Sequence, residues 1–168
     1  MALSFLGLPD HLGCPPDHWL SHWSRLHGVV QVLQHDWQRP LRGDWMIQLE
    51  EAVLRHEQVV LVADGLASHL VAAWAAHSRQ TARVAGAWLV AAPALETAQD
   101  RARWPSWQPL VRAPLPFPAW SVGAEKNAPV LDWGAQILSV EGPSHADPAW
   151  AAGWQLLQSR LQEFIPTN

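Results

Sequence analysis

Asp64-Gly65-Leu66 lies where a β-branched run, Val59-Val60-Leu61-Val62, gives way to an alanine-rich segment. That segment carries Leu66, Leu70, Val71 and Trp74 at helical spacing. A strand turning sharply into a helix can hold a nucleophile at its tip. It needs small residues two places to either side, because the two backbones approach closely. Ala63 and Ala67 meet that need and centre the tip on residue 65, which is glycine. A serine there could attack a carbonyl, but Gly65 has no hydroxyl, so no acyl-enzyme can form from this position. Glycine also removes the strain that a side chain at positive φ would carry.

The neighbouring candidates are weaker. Asp64 could attack as a carboxylate, but centring the turn on it would put Val62 and Leu66 where small residues are required. A cap on the following helix is the simpler role for Asp64. Ser68 lies one helical turn further on, pointing away from the cleft. His18 and His22, four residues apart, could ligate a metal, but no cysteine or acidic third ligand shares their helical register, and no metal is expected. Cys14 is a thiol beside which the spacing reveals no base or helix N-terminus. Glu50, Glu51 and Glu141 read as solvated carboxylates.

Six strands and five helical segments would position these groups. Strands are expected at Leu3–Leu8, Val29–Leu33, Val59–Val62, Val84–Val90, Trp120–Gly123 and Gln136–Val140. Between them, one helix opens at Pro15-Pro16-Asp17 and runs to Leu26, and a second starts with Asp44 as its cap. A third covers Leu66–Ser78 and a final one Pro148–Phe164, with Trp150, Trp154, Leu157, Leu161 and Phe164 facing inward. The proline-rich stretch 93–118 reads as irregular, with one short helix at Thr97–Arg103, near the mouth of a pocket. Strands that are apolar throughout and alternate with helices imply a parallel sheet covered on both faces. Ligands of such sheets sit beyond the carboxyl ends of the strands. Asp10-His11, Asp64-Gly65-Leu66 and Ser144-His145 should meet there.

A chain of 168 residues, 49% hydrophobic and 15% charged, fits one domain (residues 1–168) with a substantial core. The net charge of −4 and the scattered basic residues argue against nucleic acid as a partner. One cysteine excludes an internal disulfide and suits a reducing cytoplasm. The opening MALSFLGLPDHLG has no positive region and too short an apolar run for a secretory signal. The apolar stretch Val84–Leu95, interrupted by Pro93, is too short to cross a bilayer, so no membrane association is expected. Twelve tryptophans and no tyrosine read chiefly as core filling.

Several segments together resemble the small serine-hydrolase family of α/β-hydrolases that includes retinoblastoma-binding protein nine. Pro16-Asp17-His18-Trp19 with Trp23 looks like its PDHW-x-x-x-W segment, and His35-Asp36-Trp37 to Pro40 like its D-W-x-x-P loop. Leu61-Val62-Ala63-Asp64-Gly65-Leu66-Ala67-Ser68 overlies its L-V-A-H-S-L-G-C elbow, and Leu115-Pro116-Phe117-Pro118 precedes the fifth strand as in the family. The resemblance implies an α/β-hydrolase-like doubly wound, mostly parallel sheet of about six strands with helices on both faces. It places the triad histidine at His145, the nucleophile at Gly65 and the triad acid at Asn127. The pocket would hold Asp10, His11, Asp64 and Leu66.

The departures from the family bear on activity. An Asp→Asn change in such a triad costs about 10⁴ in rate, and a carboxylate at Asp10 would repel a developing oxyanion. The expectation is a catalytically degenerate member, without cofactor, binding a small molecule or a protein as a monomer or homodimer. The alternative is an active hydrolase of small esters or amides with a non-standard site around His145, Asp64 and His11. Engineering of Gly65 alone would leave Asn127 and Asp10 unexplained.

Overall fold

The computed structural model describes residues 2–164. Val59 to Ala63 are completely buried, so the strand they form must be covered on both faces. That strand, β3 (Gln58–Asp64), lies between β1 (Leu3–Leu8) and β4 (Val84–Val90) in a six-stranded sheet. β2 (Val30–Gln31), β5 (Ala119–Val122) and β6 (Gln136–Leu138) complete it in the order β2-β1-β3-β4-β5-β6. All five adjacent pairs are parallel. From β1 the chain moves outward to β2 and then returns to the other side of β1 as β3, so the winding reverses between β1 and β3. The crevice at their carboxyl ends is where a ligand site is expected in this architecture.

Alternation along β3 divides the interior into two cores. Val59, Leu61 and Ala63 face α2 (Arg42–Leu54) and α3 (Ala67–His77), in a core with Trp45, Trp74, Trp107 and Trp133. Val60 and Val62 face α1 (Trp19–His27) and α5 (Ala151–Phe164), with Trp19, Trp23, Trp88, Trp120 and Trp150. Eight tryptophans are less than 2% exposed, so the indoles serve mainly as core volume. Trp150 lies at the centre of the second core: its ring stacks on Trp23 at 5.5 Å and meets Trp19 edge-on at 5.1 Å. Its Nε1–H donates to the Glu141 carbonyl, and Trp23 Nε1–H to that of Ala149, so both buried indole donors are satisfied. In β4, the space a side chain would take at Gly86 is filled by the Trp120 ring, which explains glycine within that strand.

Several element boundaries differ from the sequence expectation. β2 has only two residues, because Val30 and Leu33 at this edge are half or more exposed and have little to pack against. α1 starts at Trp19 rather than Pro15–Asp17, since His18 is extended and caps the helix by accepting the Leu20 N–H. Asp44 is not a cap: Leu41 takes that position, and Asp44 sits in the first turn of α2, where its charge still complements the helix dipole. α5 begins at Ala151, with the Asp147 carboxylate accepting from the Ala151 and Ala152 N–H groups. Phe164 is 54% exposed instead of inward. Glu50 is not a free surface carboxylate, for it accepts from Trp74 Nε1–H and Ser78 Oγ–H and ties α2 to the end of α3. In the 93–118 stretch, α4 (Ala98–Arg103) starts from a Thr97–Asp100 capping box.

Removing the central indole by Trp150→Ala should destabilise the fold by about 3–5 kcal/mol. Urea unfolding should show a lowered midpoint with little change in slope. A second prediction concerns His69, which is 4% exposed and whose Nε2–H donates to the Pro93 carbonyl. Burial pushes its pKa down to about 4, despite the upward pull of that carbonyl. The unfolded chain therefore binds more protons between about pH 6.5 and 4, and stability falls as pH drops through that window. Urea midpoints at intervals across it should decline in the wild type and flatten in His69→Gln.

Candidate functional site

The turn from β3 into α3 places Gly65 at φ 57°, in the left-handed region where an L side chain is strained. A Cβ built at this position would collide with the Asp10 carboxyl group, lying 2.5 Å from Oδ2 and 2.7 Å from Oδ1. Asp10 lies two residues beyond the end of β1, and its carboxylate fills the space above Gly65. Its Oδ1 accepts two backbone N–H groups, from Leu66 at 2.9 Å and from His11 at 2.8 Å. The His11 ring closes on the same oxygen, Nδ1 lying 3.0 Å from Oδ1, and sets its edge against Trp104.

Asp10 thus supplies the carboxylate at the start of α3, the role expected of Asp64. Asp64 turns away: its Oδ2 lies 3.1 Å from His18 Nε2. The other nitrogen of His18, Nδ1, faces the Cys14 sulfur at 3.5 Å and accepts the Leu20 N–H at 3.1 Å. Ser21 Oγ lies 2.9 Å from the same sulfur, and Gln31 Nε2–H donates to it at 3.6 Å. Burial alone would lower the His18 pKa, but the bond to Asp64, with Cys14 and the carboxylate charge, raises it to about 9. For Cys14, burial opposes ionisation, yet the bonds from His18 and Ser21 hold the thiol below its usual value. The sequence reading saw no base near Cys14. The C-x-x-x-H spacing of Cys14 and His18 was the available signal, but Pro15-Pro16 made their approach a matter of loop conformation. The two ring nitrogens of His18 meet Asp64 and the Leu20 N–H, and among the described residues no group of three or more His, Cys, Asp or Glu side chains could hold a metal.

Asp10, His11, Gly65 and Leu66 line one concavity of about 250 Å³, together with Asp100, Arg103, Trp104 and Glu125. It adjoins a larger one of about 740 Å³, with which it shares His11, Arg103 and Trp104, and which Trp37 and Arg39 also line. The proline-rich stretch 93–118 forms much of this rim. His145 is exposed and lines a third concavity of about 800 Å³, beside Asp17, His18 and His22. Asn127 stands in an exposed turn after β5 at φ 68°. Among the described residues neither His145 nor Asn127 hydrogen-bonds the other or the residue-65 turn. Ser68 is fully buried, and its Oγ has no protein partner.

The family model described as serine hydrolase matches residues 5–145. The chain belongs to the serine hydrolase family. Its fold is similar to that of a YdeN-like hydrolase from Pectobacterium atrosepticum, with TM-score 0.80 and 18% identity over 98% of this chain and 93% of that one. The ydeN gene product of B. subtilis gives TM-score 0.66 at 14% identity, covering 94% of this chain and 98% of that one. A hydrolase of the α/β superfamily from Xanthomonas campestris pv. campestris gives 0.60 at 13%, covering 95% and 97%. At these identities the likeness establishes the α/β-hydrolase fold. No curated protein matches the sequence. Among the described residues no helix is long and apolar enough to cross a membrane.

The contact between Asp10 and the bare Gly65 backbone has a measurable consequence. Gly65→Ala adds a side chain at positive φ and pushes the carboxylate off its two N–H donors, so it should cost about 1–3 kcal/mol in urea unfolding. Paired with Asp10→Ala, it should cost less than the sum of the two single changes, because the steric conflict is gone.

Proposed function

We propose that this serine hydrolase family member has no serine-hydrolase catalysis and serves as a binding protein, using the cleft beside the β3–α3 turn. The observation that carries the reading is the Asp10 carboxylate on the Leu66 and His11 N–H groups. In a serine hydrolase elbow, the N–H of the residue after the nucleophile and an N–H from a loop at the same edge stabilise the oxyanion. Here both donors point at a resident anion. A substrate carbonyl would have to displace it, and a tetrahedral oxyanion beside it would be repelled. Gly65 supplies no attacking oxygen, and Asn127 would give His145 no charged partner.

A binding role draws support from the two joined concavities of about 740 and 250 Å³, a size suited to a small organic molecule. Trp37 offers apolar surface there, and Arg39 and Arg103, the latter lying over the Trp104 ring, offer charge. The free thiol of Cys14 fits a reducing, cytoplasmic setting.

A second reading, hydrolysis of small esters or amides around His145, draws on the separate concavity that His145 shares with the Asp64-paired His18. One experiment distinguishes the two. Wild-type protein should neither take up a fluorophosphonate probe nor turn over a panel of p-nitrophenyl esters. Stoichiometric labelling that disappears in His145→Ala would overturn the binding reading. Gly65→Ser alone should stay silent because Asp10 occupies the serine's space. If the turn is the family's elbow, Gly65→Ser with Asp10→Gly and Asn127→Asp is the combination expected to gain esterase activity.

A further inference from the structure

Beyond the Gly65 turn, we propose that Cys14, His18 and Asp64 form a thiolate nucleophile site that adds covalently to α,β-unsaturated carbonyl compounds. Three separate elements bring the set together: the loop after β1 carries Cys14, the cap of α1 carries His18, and the last residue of β3 is Asp64. Asp64 Oδ2 lies 3.1 Å from His18 Nε2, and His18 Nδ1, which accepts the Leu20 N–H, also lies 3.5 Å from the Cys14 sulfur. A thiol, a base and a carboxylate that orients the base, in that order, are the parts of an activated nucleophile. Ser21 Oγ at 2.9 Å and Gln31 Nε2 at 3.6 Å surround the sulfur with groups able to donate to a thiolate.

Cys14 is partly exposed, and His18 lines the concavity of about 800 Å³ with Asp17, His22, Ser144 and His145. The charged and titratable groups around the set are therefore Asp64 from β3, Asp17 and His22 flanking His18, and His145 from the segment before α5. Asp64 is the one that bonds the imidazole.

The chemistry of the surroundings selects the electrophile. Acyl transfer to sulfur needs donors for an oxyanion, and the Leu66 and His11 N–H groups at this edge are held by Asp10. Conjugate addition forms no tetrahedral oxyanion, and the charge of its enolate is shared between carbon and oxygen. His18 takes the thiol proton, and the sulfur lone pair forms a bond to the β-carbon. The π electrons move to give an enolate, and its α-carbon takes up the proton that His18 received. No leaving group or oxidant is involved.

Acrylamide is the probe. Full-length protein is reacted at a series of values from about pH 5 to 10, and the adduct is followed by intact mass. Cys14 is the sole cysteine, so one adduct per chain is expected. The rate should inflect below the ordinary thiol value of about 8.5, and the same chain unfolded in urea should inflect at that ordinary value. Asp64→Asn and His18→Asn should raise the inflection of the folded protein and slow addition several-fold near neutral pH. No adduct on the folded chain, or the same inflection folded and unfolded, overturns the proposal. So does an unchanged profile in both variants. If neither variant folds, the folded-against-unfolded comparison decides. Because the readout is addition to sulfur, failure here and failure of the esterase assays on the Gly65 turn are separate events.

Discussion

At the carboxyl edge of the sheet, one carboxylate sets the arrangement of its neighbours. Asp10 leaves the end of β1 and reaches the Leu66 N–H across the point where the winding reverses. A carboxylate is favourable at the start of a helix, where backbone donors are unpaired and the dipole is positive. It can lie so close only because residue 65 has no side chain. The glycine and the aspartate are therefore one structural unit, and each explains the other. The loop after β1 is held down, His11 is drawn against Trp104, and Asp64 is released from capping α3.

That release matters electrostatically. Asp64 finds its partner in His18, which is itself the cap of α1. Against the effect of burial, the hydrogen bond to Asp64, with Cys14 and the carboxylate charge, raises the His18 pKa to about 9, and His18 in turn favours ionised sulfur at Cys14. Polar groups from β1, α1 and β3 thus form a connected set at the edge, next to two cores packed almost entirely with apolar side chains. The tryptophans supply much of that apolar packing. Their indoles fill both sides of the sheet, and the N–H groups of Trp23, Trp107, Trp133 and Trp150 reach backbone carbonyls.

Much of the sheet was legible because its signals are local. Val84–Val90 has the bounds expected from its apolar run, and Thr97–Arg103 contains the capped helix suggested by its residues. The weaker readings failed where a neighbour decided the outcome. Val29–Leu33 shrank to a two-residue strand because it lies at the sheet edge. Glu50 looked like a surface carboxylate until α3 brought Trp74 and Ser78 against it. Loops after the first, third and last strands were all expected at one mouth. Asp10, His11 and Gly65 share a concavity, while His145 lines another with His18.

By itself the sequence determined the alternation of strands and helices, the burial of the central strands on both faces and the absence of a side chain at residue 65. These follow from residue type and period along the chain, which need no partner to be read. Only the tertiary structure decided that Asp10 fills the space above Gly65, that Asp64 serves His18 rather than α3, and that Cys14 stands beside a base. Asp10 and Leu66 are 56 residues apart, and such pairings depend on which strand ends the winding brings together. A carboxylate takes the nearest donor in space, and no pattern along the chain records that distance.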